Sequence, residues 1–150
     1  MDRQDLDYWC DRNSLSRVYP KWIIPMKLQG YKLCFNYFSS TRKAGAANIV
    51  GHDTEVVYGL LMELTLEERE IIRRKEGHKK SYDEIVVSVT SFDGVKISEV
   101  ITYKVLPHRE QSNHQPPSRS YLNLLINNAI RYGFPEGYIK YLKSIPTSKV

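Results

Sequence analysis

Apolar residues along this chain recur at two different spacings, and the changes of spacing mark out its elements. Val18 to Ile24 is rich in β-branched and aromatic residues and predicts a strand that stops at Pro25. Gly30 reads as a turn, and Tyr31 to Phe38 as the next strand. Ser39 to Ala47 is small and polar and predicts a loop. Asn48 to Val50 and Glu55 to Leu64 read as two further strands, with Gly51-His52-Asp53 as the turn between them. Asp83 to Thr90 and Val95 to Val105 alternate, and Asp93-Gly94 between them predicts a hairpin.

Helical spacing appears elsewhere. Asp5 to Cys10 predicts a short helix. Thr65-Leu66-Glu67-Glu68 is a capping box, in which the Thr65 hydroxyl accepts from the Glu68 amide and the Glu68 carboxylate reaches back. The helix it opens should run to about Lys75, with Leu66, Ile71 and Ile72 as its apolar face. Pro107 to Ser118 is a polar loop with a Pro-Pro pair. Leu122, Leu125, Ile126 and Ala129 share one face of a helix over Tyr121 to Tyr132, which Gly133 and Pro135 end. A shorter helix follows from Pro135 to Ile145. Strands, a middle helix, a hairpin and two last helices predict an α+β fold with a mostly antiparallel or mixed sheet, and no βαβ alternation.

At 150 residues the chain reads as one domain, long enough to bury about 68–70% of its unfolded surface. A hydrophobic content of 41% and a charged content of 26% are ordinary for a soluble protein. The net charge of +5 permits an anionic partner, but Lys and Arg are scattered and form no nucleic-acid signature. Cys10 and Cys34 are too few for a disulfide framework, and Cys34 in Leu33-Cys34-Phe35 reads as a small buried hydrophobe. The acidic, polar start does not read as a signal peptide, and no apolar run approaches spanning length. A reducing, cytoplasmic setting is the expectation by default.

The four histidines, His52, His78, His108 and His114, fall in separate turns and loops without ligand spacing, so no metal site is predicted. Neither a P-loop nor a dinucleotide fingerprint is present. What remains is one carboxylate and a set of small and hydroxyl-bearing residues. Glu76 stands where the charged helix ends, in Arg74-Lys75-Glu76-Gly77. Such a corner suits a single acid/base group on a rigid scaffold, but a Glu beside Arg73, Arg74 and Lys75 is on local sequence more often a solvated surface charge. Gly77 is an ordinary left-handed helix cap. Gly45-Ala46-Ala47 is either a tight crossing of strands or a backbone that approaches a ligand closely. Tyr82 and Tyr121 are either packing residues or hydrogen-bond partners of a buried acid.

Taken in order, several segments resemble the γ-glutamylcyclotransferase-like family. They are Leu28-Gln29-Gly30-Tyr31-Lys32-Leu33, Gly45-Ala46-Ala47-Asn48-Ile49, and Glu55-Val56-Val57-Tyr58-Gly59-Leu60. Then come Lys75-Glu76-Gly77 with Tyr82, Pro116-Pro117-Ser118 with Tyr121, and Gly133-Phe134-Pro135 with Tyr138. The resemblance implies a small mixed, barrel-like α+β fold with a pocket at one end. It implies a cofactor-free reaction, in which the α-amine of a γ-glutamyl group attacks its own γ-carbonyl. The products are 5-oxoproline and a released amine or amino acid.

The family's acid/base glutamate falls on Glu76. Its pocket positions fall on Gly45, Ala46, Gly77, Tyr82 and Tyr121. The implied partner is a small γ-glutamyl amino acid, peptide or amine, with no nucleic acid, membrane, metal or cofactor. The family's first strand and its Tyr-Gly-Ser-Asn loop are absent before Met1, and the expectation is a reading frame that begins too late. The alternative reading is a non-catalytic ligand-binding or interaction protein of the same fold.

Overall fold

The computed structural model describes residues 3–149. Helix α1 (Arg3–Arg12) leads into strand β1 (Ile23–Ser39), which turns back as β2 (Ala44–Met62). Helix α2 (Leu66–Lys75) precedes the hairpin of β3 (Tyr82–Ser91) and β4 (Lys96–Val105). A short 3₁₀ turn (Pro107–Arg109) opens the long loop to α3 (Arg119–Arg131), and α4 (Glu136–Ser144) follows. The class is α+β, with the middle helix and the two last helices where the spacing put them. No described helix is long and apolar enough to cross a membrane.

The sheet has the order β2-β1-β3-β4, and every pairing between these strands is antiparallel. It differs from the expected strand pattern in two ways. First, the predicted turns at Gly30 and Gly51-His52-Asp53 do not break the strands. β1 and β2 form one long hairpin, and the register shifts between Gln29 opposite Val56 and Tyr31 opposite Gly51. Gly30, at φ +81°, and residues 52–55 opposite it form a large bulge. The same glycines that end a strand also permit a bulge, so local sequence does not separate the two. Second, residues 18–22 lie outside the sheet and residues 44–47 lie within it, so the loop predicted at Ser39 to Ala47 shrinks to a turn at residues 40–43.

The sheet is antiparallel throughout and not closed, an arrangement within the small barrel-like α+β class that was expected. Its outer strands β2 and β4 are joined through one side chain. Buried Asn48 on β2 accepts from the Val105 amide of β4 at 2.9 Å and from the Ile49 amide at 2.8 Å. Its amide nitrogen donates to Asn36 Oδ1 at 2.9 Å and to Glu110 Oε1 at 3.0 Å. Each hydrogen-bonding position of the amide is used, which is what burial of the group requires. Asn48→Leu keeps the volume but strands the Val105 N–H and the partners Asn36 and Glu110. It is expected to cost about 2–4 kcal/mol of stability. A urea midpoint equal to the parent's would show that the clasp contributes nothing.

Three apolar clusters hold the layers together. Met26, Leu28, Val57, Val87 and Val89 pack within the curved sheet. Phe35 meets Leu122, Ile126 and Leu142 where α3 and α4 cover it. Leu6, Cys10, Val18 and Ile72 seat α1 against α2. Each such side chain contributes about 1.5–3 kcal/mol on burial. The third cluster matters most for the site, because it fixes α1 beside the end of α2. The α2 helix is further docked by Glu84, which faces Arg73 Nε at 2.9 Å, Arg69 at 3.2 Å and the Tyr103 hydroxyl at 3.0 Å. The expected strand and loop ahead of Met1 fall outside the described residues.

Candidate functional site

Helix α2 begins and ends where the sequence indicates. Thr65 and Glu68 form the reciprocal capping box, at 3.2 Å and 2.9 Å. At the other end Glu76 is the C-cap. Gly77 donates to the Arg74 carbonyl and His78 to the Arg73 carbonyl, both at 3.1 Å. This paired closure needs a left-handed residue, and Gly77 supplies it at φ +64°. The Gly77 carbonyl then accepts from Lys80 at 2.9 Å and Ser81 at 3.0 Å, which turns the chain sharply into β3. Tyr82 at the start of β3 is therefore brought back beside Glu76.

Tyr82 and Tyr121 meet at the backbone of one residue, Ala47. The Tyr82 hydroxyl donates to the Ala47 carbonyl at 2.7 Å, and the Ala47 N–H donates to the Tyr121 hydroxyl at 3.4 Å. Tyr121 reaches this position because α3 starts there: the Ser118 hydroxyl caps the helix by accepting from the Tyr121 amide at 3.2 Å. Tyr37 packs edge-on against Tyr82 and donates to Ser81 at 2.8 Å. Both site phenols are held above their ordinary pKa, first by burial, with the charge of Glu76 adding to the effect in each. They stay protonated and can donate at neutral pH.

Burial also pushes the Glu76 carboxyl above its ordinary 4.5, against the opposing charges of Lys75 and Arg42. The C-terminal end of the α2 dipole acts in the same direction as burial. The linkage sign follows from this. Unfolded, the group ionises near 4.5; folded, it ionises at higher pH. Between those two values the folded protein holds a proton that the unfolded chain has lost, so stability falls as pH rises through the window. Glu76→Gln removes that loss. The variant is expected to melt at a higher temperature than the parent at pH 8, with the gain vanishing by about pH 4. An equal or lower melting temperature at pH 8 would contradict a destabilising buried carboxylate.

Gly45 and Ala46 lie on β2 close by, and both are buried. The Gly45 N–H donates to the Pro116 carbonyl at 2.9 Å. A Cβ at this position would overlap the Gln115 carbonyl oxygen and lie 2.6 Å from its carbon. Glycine is thus required by the crossing of β2 with the loop that leads to Tyr121. Of the six residues singled out from sequence, Glu76, Gly77, Tyr82 and Tyr121 surround one corner. Gly45 meets the loop on its far side, and Ala46 beside it pairs with Tyr37 on β1.

Sequence reasoning missed the charged frame around this corner. Asp5 on α1 lies 2.9 Å from Lys75 Nζ and 3.9 Å from the Arg42 guanidinium, and the Lys75 side chain is only 9% exposed. Arg42 in turn lies over the Tyr121 ring, 4.4 Å from its centroid. No local pattern marks these residues, because they come from three separate elements. Among the described residues no group of three or more His, Cys, Asp or Glu could hold a metal ion. A cavity of about 430 Å³ lies elsewhere, between β1 and α4, lined by residues that include Cys34, Asn36, His114 and Tyr141. Its lining holds no carboxylate.

A model of the AIG2-like family matches residues 56–142, a span that contains Glu76, Gly77, Tyr82 and Tyr121. No curated protein matches the chain by sequence. Among solved structures, one named gamma-glutamyl cyclotransferase superposes with a TM-score of 0.77 at 22% identity, over 99% of this chain and 86% of its own. An uncharacterized protein from Homo sapiens follows at 0.73 and 24%, over 99% and 86%. YkqA from Bacillus subtilis gives 0.73 at 17%, with 98% of this chain covering 52% of that one. At these identities the likeness is one of fold.

Proposed function

The chain belongs to the AIG2-like family, and from that premise we propose that it is a γ-glutamyl cyclotransferase. Its substrate is a small γ-glutamyl amino acid, peptide or amine. The observation that carries this reading is the Glu76 corner: a carboxyl whose pKa is raised by burial, beside two neutral phenols anchored on the backbone of Ala47.

The reaction asks little beyond positioning and proton transfer. Nucleophile and electrophile belong to the same molecule, and the product is a five-membered ring, so proximity is supplied by the substrate itself. As a carboxylate, Glu76 takes a proton from the substrate's α-ammonium. The freed amine attacks the γ-carbonyl carbon and forms the new C–N bond. Glu76 gives that proton to the nitrogen of the old γ-amide and takes up the second proton, which the attacking nitrogen sheds as it becomes the ring N–H; the old C–N bond breaks, and Glu76 passes the second proton to the released amine, which departs as an ammonium. The leaving amine and 5-oxoproline separate, and the carboxyl returns to its starting state. A carboxyl of raised pKa performs both halves of this cycle near neutral pH better than an ordinary one.

In this reading Tyr82 and Tyr121 orient the γ-glutamyl group. Gly77 turns the chain so that Tyr82 returns to the corner. Gly45 accepts the loop that delivers Tyr121, and Ala46 continues β2 beside it. Tyr121→Phe removes one hydroxyl without changing the ring and is expected to cost about 0.5–1.5 kcal/mol in kcat/KM. Kinetics equal to the parent's would make Tyr121 a packing residue. The proposal as a whole is tested by incubating the protein with a panel of γ-glutamyl compounds and assaying 5-oxoproline. Release from none of them would refute it.

A further inference from the structure

Cyclisation needs the α-carbon of the γ-glutamyl group to be held still, because that carbon carries the attacking nitrogen. It also carries a carboxylate. Arg42 stands at the tip of the β1–β2 hairpin, in the turn formed by residues 40–43. The ring of Tyr121 lies against its guanidinium, 4.4 Å away, and a cation over an aromatic face is attracted there. The Asp5 oxygen that Arg42 faces is 3.9 Å distant and is already in contact with Lys75 at 2.9 Å. A charge-assisted hydrogen bond spans about 2.7–2.9 Å, so Lys75 holds Asp5 and the Arg42 contact is loose. The Arg42 side chain is 37% exposed, whereas Lys75 is 9% exposed. One cation at the corner is therefore buried and paired, and the other is steered by a ring with its donors still open to a ligand.

We infer that Arg42 takes the α-carboxylate of the γ-glutamyl group, while Lys75 stays tied to Asp5. The inference rests on the cyclotransferase reading of the same site. A guanidinium presents a planar fork that matches a carboxylate in two parallel hydrogen bonds. Fixing the carboxylate leaves the amine on the same carbon little freedom, and the Tyr121 ring sets where the fork stands. Arg42 is then a specificity residue: it selects substrates that keep a free α-carboxylate.

The test uses two ligands, a γ-glutamyl dipeptide and its analogue with hydrogen in place of the α-carboxylate. Both are titrated calorimetrically onto the Glu76→Gln protein, which is expected to turn them over about 10²–10⁴-fold more slowly than the parent, with and without Arg42→Met. Arg42→Met is expected to raise the Kd of the dipeptide about 10- to 100-fold and to leave that of the analogue unchanged. Arg42→Lys should recover part of the affinity, because it keeps the charge and loses the fork. Equal losses for both ligands, no loss for either, or no binding of the dipeptide would overturn the inference. Release of 5-oxoproline by the parent separates this outcome from the fate of the cyclotransferase reading. Turnover without discrimination by Arg42→Met removes only the role of Arg42. Discrimination without any 5-oxoproline removes the reaction and leaves the carboxylate site standing.

Discussion

Glu76→Gln is expected to lower the rate of 5-oxoproline release by about 10²–10⁴-fold while the protein stays folded. The size follows from the chemistry. The side chain keeps its shape and its place at the C-cap of α2, so the Gly77 closure and the return of Tyr82 are preserved. In the proposed reaction what is lost is the proton carrier, and the other carboxylate described at this corner, Asp5, is held by Lys75 at 2.9 Å. The residual rate would come from positioning alone. Because the raised pKa of Glu76 makes its charged form a cost to folding, the inactive variant should also be the more stable one at pH 8. Reduced turnover together with raised stability would separate a catalytic role from a structural one. Reduced turnover in a variant that no longer folds would leave Glu76 as a structural residue.

Gly45→Ala should be the most damaging single methyl addition in the chain. At Gly30, Gly51, Gly59, Gly94, Gly133 and Gly137 a Cβ would meet nothing within 4 Å, and at Gly77 it would only touch Ser81 Cβ. At Gly45 it would overlap the backbone of Gln115, which no rotamer change can relieve. Either β2 or the loop must move, and Gly45 loses its hydrogen bond to Pro116. The expected cost is about 3 kcal/mol or more in urea unfolding. Activity should fall with it, since the displaced loop runs through Ser118 to the Tyr121 end of α3. A variant with the parent's stability and kinetics would mean that the loop gives way freely and does not position Tyr121.

The features readable in sequence are those with local causes. The capping box at Thr65, the left-handed closure at Gly77 and the hairpin at Asp93-Gly94 each lie within a few residues, and each has one geometry that satisfies them. Glu76 could be singled out for the same reason: the helix end that places it is written beside it. The long hairpin of β1 and β2 was not legible, because the turn residues at Gly30 and Gly51 also serve a bulge, and only long-range pairing decides between them. The meeting of Tyr82 and Tyr121 on Ala47 spans separations of 35 and 74 residues. Gly45 was left between two readings, and the Gln115 crossing supplies the physical reason for glycine there. Asn48 and Arg42 gave no signal at all. One is a polar residue inside a strand and the other a cation in a polar turn, and each acquires meaning only from elements far along the chain.

The central claim is that the γ-carbonyl is attacked by the substrate's own amine and not by water. Running the reaction in water enriched in heavy oxygen tests this directly, with the products weighed by mass spectrometry. 5-Oxoproline free of the label is expected, formed in step with the released amine, because no water oxygen enters the new ring. Labelled glutamate as the product would mean hydrolysis and not cyclisation.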